Sequence, residues 1–307
     1  MNTSEDIEKK KARIKRVAEK IIGLPTLPTV VAKMMELVDN PKTSANSLAN
    51  LISTDQALTA KILKLANSAY YGFPREVGTV SLAIVVLGFN TVKDMGLSVS
   101  VFNAFEDSTN DNKYFDLSRF WEHSIGCAVA SKMLARNYGF RITGEAFVGG
   151  LLHDIGKVVV NGFMYDDFEQ IMKKVFEEDK SLIESELVVL GATHNEVGSW
   201  VAEKWNMPGP IVEVIKYHHD PQKAEKNKEF VLIVHLADYL CRISNIGVSG
   251  NKAAPVLTEE VIALLDKYNL PSDAETIDNA RTDFLVELDK AETFMNFVRG
   301  EEGDKPE

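Results

Sequence analysis

A histidine, an aspartate and a lysine fall within five residues of one another in an otherwise apolar run, Ala146-Phe147-Val148-Gly149-Gly150-Leu151-Leu152-His153-Asp154-Ile155-Gly156-Lys157-Val158-Val159-Val160. Burying such groups without partners costs several kcal/mol, so something must compensate them. Adjacent His and Asp residues can ligate a dinuclear metal centre: a neutral imidazole nitrogen binds one ion, and a carboxylate can bridge to a second. Lys157 would then lie near enough to attract a phosphate. The other reading is a plain core pair in which His153 and Asp154 hydrogen-bond each other, and the rest of the chain has to decide between the two.

All six histidines lie between positions 123 and 235. His123 falls on the small or apolar side of a helix expected over residues 117–137, with Phe120, Cys127, Ala130 and Leu134. His194 heads a stripe of Val197, Gly198, Val201, Ala202 and Trp205 at helical spacing. A helix started by Pro210 carries Ile211, Val214 and Ile215 up to His218 and His219, before Asp220-Pro221 stops it. Asp238 shares a face with Val231, Val234 and Cys241, whereas His235 falls with Leu232, Tyr239 and Arg242 and reads as an ordinary, partly exposed histidine. Five histidines with Asp154 and Asp238 thus take inward-facing positions on separate helices, a clustering not expected of uncoordinated core histidines. Together they supply seven nitrogen and oxygen donors, enough for two ions sharing a carboxylate bridge.

The elements that must position these residues are helical throughout. Residues 5–22 form a helix with Ile7, Ile14, Val17 and Ile21 on one side and basic residues elsewhere; its acidic neighbours make it read as a solvated face rather than a surface for nucleic acid or anionic lipid. Leu24-Pro25-Thr26-Leu27-Pro28-Thr29 breaks it. Helices follow over 30–38, 44–52, from an Asp55 N-cap to Ala66, and over 81–87 and 91–105, interrupted by the aromatic loop 67–74, which packs its rings beneath itself or offers them to a base or partner. Polar residues 108–113 join two subdomains, and helices at 166–178 and 181–190 lead to His194. Beyond a loop at 247–255 lie helices over 258–268 and 274–298, the latter a dimer helix or one that packs back on the body, and then a tail, 300–307, that reads as disordered. No alternating strand pattern occurs, so the fold class is all-α: a multi-helix bundle preceded by a smaller N-terminal helical subdomain.

Composition sets the outer limits. With 307 residues, 45% of them hydrophobic and 26% charged, the chain has enough apolar surface for a sizeable core. No apolar run approaches the roughly 18 residues of a membrane span, and residues 1–20 lack the apolar core of a secretory signal, which together imply a cytoplasmic protein. Cys127 and Cys241 have no Cys-x-x-Cys spacing and read as reduced core thiols rather than a disulfide or zinc site. The net charge of −11 argues against a surface devoted to nucleic acid.

Several motifs in order, Leu24-Pro25-Thr26-Leu27-Pro28, Leu51-Ile52-Ser53-Thr54-Asp55-Gln56-Ala57-Leu58-Thr59, Lys64-Leu65-Ala66-Asn67-Ser68-Ala69-Tyr70-Tyr71 and Ala83-Ile84-Val85-Val86-Leu87-Gly88, closely resemble the HDOD family, the HD-related output domains of bacterial signalling proteins. The resemblance covers residues 22–220 and implies an organisation of an N-terminal basic helix (1–21), an HDOD module whose helical subdomain (22–112) precedes an HD-like metal-binding subdomain (113–245), and a C-terminal extension (246–307). The histidine set in turn resembles that of the HD-GYP phosphodiesterases: His123, the pair His153 and Asp154, Lys157, His194, the pair His218 and His219, and Asp238 match in order. Two departures stand out. Arg119 occupies the place of a glutamate that would bring a third metal, and Asp220-Pro221-Gln222-Lys223 replaces the Gly-Tyr-Pro loop, which puts cyclic di-GMP specificity in doubt.

The resemblance implies one metal held by His123, His153, Asp154 and Asp238 and a second by Asp154, His194, His218 and His219, with iron or manganese favoured over nickel or zinc. Asp154 and Lys157 would then be the catalytic residues of a metal-dependent phosphohydrolase or phosphodiesterase. The competing expectation is a non-catalytic signalling module whose metal site is structural or sensory. Expected partners are a signalling protein, a phosphorylated or nucleotide ligand, and a second copy bound through the C-terminal helix.

Overall fold

The computed structural model describes residues 9, 12–14, 16, 17, 19–21, 29–38, 44–67, 76–106, 112–289 and 291. The proline-rich break at 24–28, the aromatics of the loop at 70–74, the last helix beyond 291 and the tail at 300–307 lie outside them. Fifteen α-helices and no β-strand occur among the described residues, so the protein is all-α. Two compact units are present: Leu27–Asp107 with Leu285–Glu307, and Met1–Thr26 with Ser108–Phe284. None of the described helices is long and apolar enough to cross a membrane.

The smaller unit contains α1 (Thr29–Val38), α2 (Ala45–Ser53), α3 (Gln56–Ala66), α4 (Val80–Leu87) and α5 (Phe89–Glu106). Side chains satisfy the free amides at its helix starts. Ser44 Oγ accepts from Ser47 N at 3.1 Å, Asp55 Oδ1 from Leu58 N at 2.9 Å, and Thr79 Oγ1 from Leu82 N at 3.2 Å. Met34, Leu48, Ile52, Leu58, Ile62 and Leu97 are buried in its core. Asn67 bonds both the carbonyl (3.0 Å) and the amide (2.7 Å) of Val77, and so pins together the two ends of the aromatic loop.

The larger unit holds α6 (Leu117–Asn137), α7 (Thr143–Leu152), α8 (Ile155–Phe163), α9 (Tyr165–Phe176), α10 (Leu182–Val189), α11 (His194–Lys204), α12 (Gly209–Tyr217), α13 (Lys228–Ile243), α14 (Glu259–Lys267) and the start of α15 (Ala274–Asp289). The N-terminal segment, helical at each described residue from 9 to 21, groups with this unit: Arg16 pairs with Asp167 at 2.9 Å and Lys20 Nζ donates to Phe163 O at 3.0 Å. Its core, including Phe120, Ile125, Val158, Val197 and Phe230, is closed around the histidine-bearing elements.

The apolar run that opens the sequence argument is not one helix. It breaks between Leu152 and Ile155, which leaves His153 and Asp154 in the turn between α7 and α8. Gly156 in the first turn of α8 is what lets α11 cross there, because a Cβ at that position would overlap the His194 carbonyl oxygen. The start of α11, and with it His194, is thereby brought against Asp154.

Glu213 of α12 shapes the segment that stands where a Gly-Tyr-Pro loop was sought. Its carboxylate accepts from the amides of Glu225 (2.7 Å), Lys226 (3.0 Å) and Asn227 (3.2 Å) and from Asn227 Nδ2 (2.6 Å). Burial works against the charge, but these donors outweigh it and lower the carboxyl below its ordinary 4.5. A folded-state value below the unfolded one adds stability above pH 4.5 that is lost as pH falls through the lower, folded value. Glu213→Ala is therefore expected to cost about 1 kcal/mol at neutral pH, given the partial exposure of the group. In thermal melts across pH, the gap to wild type should close on the acid side of 4.5.

Candidate metal centre

Four of the candidate histidines are held through Nδ1. His123, in the first half of α6, sets Nδ1 3.3 Å from Ile246 O; His153 sets Nδ1 2.7 Å from Gly150 O; and His218, at the end of α12, sets Nδ1 2.9 Å from Ile215 O. His194 turns Nδ1 to both oxygens of Glu186, at 2.8 and 2.9 Å, and Glu186 also accepts from the His194 amide at 3.0 Å. Fixing Nδ1 in this way leaves Nε2 of all four rings for another task, as the outer hydrogen bonds of metal-binding histidines do.

The free edges converge. His123 Nε2 lies 3.1 Å from Asp238 Oδ1. His194 Nε2 lies 3.0 Å from His219 Nε2 and 3.2 Å from Asp154 Oδ1, which is also 3.5 Å from His218 Nε2. The other oxygen, Asp154 Oδ2, faces His153 Nε2 at 3.4 Å and accepts from Lys157 Nζ at 2.6 Å. Asp154 therefore belongs to one donor group through Oδ1, while Oδ2, bonded to Lys157, faces His153 of the other. The first is His123, Cys127, His153 and Asp238; the second is Asp154, His194, His218 and His219; within each, the ligand atoms lie within 4.8 Å of one another.

All seven side chains singled out in the sequence as metal ligands take part. His123, His153, Asp154, His194, His218 and Asp238 are buried, and His219 is half-buried. Lys157 is buried as well, with Nζ shared between Asp154 Oδ2 and, at 2.8 Å, Ser249 O. It thus faces the carboxylate rather than open space. Arg119, in place of the glutamate, is exposed on α6. His153 Nε2 faces Asp154 Oδ2 at 3.4 Å, and His153 Nε2, Asp154 Oδ1, His218 Nε2 and Asp238 Oδ1 are buried without a hydrogen bond of good geometry.

The electrostatics divide the donor set: burial opposes a proton on His123, but Cys127 and Asp238 raise it well above the ordinary histidine value. Burial pushes the Asp154 carboxyl up, but the charges of Lys157 and His153 more than offset this and hold it well below the usual carboxylate range. Burial pushes His218 down to about 4, and burial with the neighbouring histidines lowers His219 too, so both rings are neutral and have a lone pair to give. His194 moves the other way: burial opposes a proton on it, but the Glu186 carboxylate prevails.

Sequence reasoning missed four participants. Cys127 joins the first donor group although its spacing with Cys241 had set both apart as inert core thiols; both are indeed free and buried. Glu186 stands in a charged stretch with no mark to separate it from Glu184, yet only it is buried against His194. Ser249 contributes a backbone oxygen that no residue pattern encodes. His235, half-buried as expected, is not ordinary: its Nδ1 lies 2.6 Å from the carbonyl of His218 and steadies that turn. Because outer partners of this kind tune metal affinity about 10- to 100-fold, Glu186→Gln is expected to weaken metal binding by that factor. Competition against a chromogenic chelator measures it.

Comparison with known proteins places the chain. The profile of the HDOD domain matches residues 24–221. The chain belongs to the HDOD domain family. Six of the seven candidate ligands lie inside the matched span, and Asp238 lies beyond it on α13, so the centre is complete only with a helix outside the HDOD match.

Among solved HDOD-like structures, an HDOD domain protein of unknown function from Geobacter sulfurreducens is 28% identical with a TM-score of 0.71, over 94% of this chain and 97% of that one. A provisionally named signal transduction protein from Marinobacter aquaeolei VT8 is 20% identical with a TM-score of 0.77, over 97% of this chain and 68% of that one. A provisionally named phosphohydrolase from Shewanella amazonensis SB2B is 23% identical with a TM-score of 0.68, over 93% and 98%. The latter two likenesses establish the fold alone. An uncharacterized protein of Treponema pallidum (strain Nichols) is 24% identical over 228 residues, 74% of this chain but 44% of that protein, so this chain spans less than half the length of that relative.

Proposed function

We propose that this HDOD protein is a signal-transduction module whose buried centre binds two divalent transition-metal ions, with iron or manganese favoured and nickel or zinc also suited to the donors. The observation that carries this reading is the set of four buried, unpartnered polar atoms, His153 Nε2, His218 Nε2, Asp154 Oδ1 and Asp238 Oδ1, each aimed into a donor group. One ion falls to His123, His153, Asp154 and Asp238, the other to Asp154, His194, His218 and His219. In this role the centre ties the ends of α7, α8, α11 and α12 to the middle of α6 and α13, so metal loading holds one arrangement of these helices for a signalling partner to read.

Elemental analysis of protein purified without chelator tests the reading. Two metals per chain are expected, and chelation should lower the melting temperature. Less than one metal per chain, even after reconstitution with iron or manganese, overturns it.

Hydrolysis of a phosphate ester is the second reading, and one observation favours it. His219 in the second donor group is only half-buried, and beside the first the partly exposed guanidinium of Arg242 lies 3.8 Å from Asp238, so each group has one member near solvent. Two divalent ions, when bound, supply Lewis acidity and lower the pKa of water toward neutrality. The chain's own residues do the remainder: Arg242 offers a cation to a phosphate beside the first group, and Lys157 balances charge through Asp154, whose orientation it fixes. The phosphohydrolase name of the Shewanella neighbour supports this reading through the fold only. A panel of phosphomonoesters and cyclic dinucleotides, assayed with wild type and Asp154→Asn, decides it: equal background rates remove the enzyme. The proposal is completed by a phosphorylated or nucleotide ligand, a partner signalling protein, and a second copy docked through α15, where Leu285 and Val286 are exposed.

A further inference from the structure

The two donor groups differ in kind. The second is made of nitrogen and oxygen alone, whereas the first includes a sulfur. Cys127 stands one helical turn after His123 on α6, a spacing that puts both side chains on one face. Its Sγ lies 3.5 Å from His123 Nε2, and His123 Nε2 is 3.1 Å from Asp238 Oδ1. Sγ also falls within 4.8 Å of the ligand atoms of His153 and Asp238, whose Nε2 and Oδ1 are buried without partners. His153 Nε2 and Asp238 Oδ1, the latter also 3.1 Å from His123 Nε2, thus border the same space as the thiol. The thiol also hydrogen-bonds Cys241, and Gly126 leaves room for Cys241 Sγ and Ile246 beside α6.

We propose that Cys127 is a further ligand of the ion held by His123, His153, Asp154 and Asp238, which makes this half of the centre softer than the half held by Asp154, His194, His218 and His219. The proposal rests on the metal-binding reading and adds to it a donor outside the seven-residue set. On binding, the S–H bond gives up its proton to solvent and the sulfur lone pair goes to the ion, whose charge offsets the burial that otherwise keeps the thiol protonated. A thiolate donor favours zinc, iron or cobalt over manganese, so the two halves are expected to take different metals from a mixture.

Cobalt(II) substitution reads the sulfur directly. Full-length protein stripped of metal and titrated with cobalt(II) alone is expected to develop a near-ultraviolet sulfur-to-cobalt charge-transfer band beside the visible d–d bands. Cys127→Ser and Cys127→Ala should both lose the charge-transfer band and keep visible absorption from the second half, while Cys241→Ser keeps both. Two Cys127 variants guard against one that fails to fold, and circular dichroism of each checks this. A charge-transfer band that survives in a folded Cys127 variant, or one absent from wild type that has bound cobalt, overturns the proposal. Wild type that binds no cobalt overturns the metal reading together with it.

Discussion

Asp154→Ala is expected to abolish binding of both ions and to destabilise the protein even without metal. The first effect follows from geometry, since Asp154 alone presents oxygens to both donor groups, with Oδ1 near His194 and His218 and Oδ2 near His153. The second follows from Lys157, whose ammonium is 1% exposed and relies on Asp154 Oδ2 at 2.6 Å. Removing one partner of a buried ion pair leaves the other charge uncompensated, at a cost of about 3–5 kcal/mol. The two effects separate in a cycle with Lys157→Met, a substitution of similar length and no charge. In metal-free protein the double variant should recover most of the stability lost by Asp154→Ala, since neither buried charge then lacks a partner. It should not recover metal binding. Chemical denaturation measures the first quantity and elemental analysis the second. Stability of Asp154→Ala within about 1 kcal/mol of wild type would mean that Lys157 finds another partner, Ser249 O being the nearest.

The candidate ligands were legible in the sequence because each is a polar residue in an apolar stripe, a conflict with simple burial that points to a site. His194 ahead of Val197 and Val201, and Asp238 among Val231, Val234 and Cys241, are such conflicts, and each lies in the donor groups. Cys127 raised no conflict, because a thiol in an apolar stripe is an ordinary core residue. Only the approach of α7 and α13 to α6 turns it toward His153 and Asp238. Glu186 was hidden for the opposite reason: an acid on a charged helix needs no explanation until another element buries it. The carbonyls of Gly150, Ile215, Ile246 and Ser249, which fix three histidines and Lys157, belong to the backbone and leave no trace in residue types. Helix existence came from periodicity and caps, as with Asp55. The break between α7 and α8 did not, since Ala146–Val160 is apolar on both sides of His153-Asp154 and contains no proline.

Gly156 shows how far the centre depends on backbone approach. A Cβ there would meet the carbonyl oxygen of His194, and the amide of Gly198 at 2.9 Å, both main-chain atoms that no rotamer change can move. Gly156→Ala must therefore separate α8 from α11. Forced overpacking costs about 1–3 kcal/mol, and a backbone obstacle puts this site at the upper end, about 3 kcal/mol. The separation also withdraws His194 from Asp154 Oδ1, now at 3.2 Å, so binding of the ion at Asp154, His194, His218 and His219 should fall far more than that of the ion at His123, His153 and Asp238. Gly209→Ala at the start of α12 is the control, because a Cβ there meets nothing within 4 Å. Titration with a single metal should then show one strong equivalent in Gly156→Ala and two in Gly209→Ala. Equal loss of both equivalents in a folded Gly156→Ala variant would show that the halves form as a unit, with Asp154 coupling them more tightly than the crossing of α8 and α11 does.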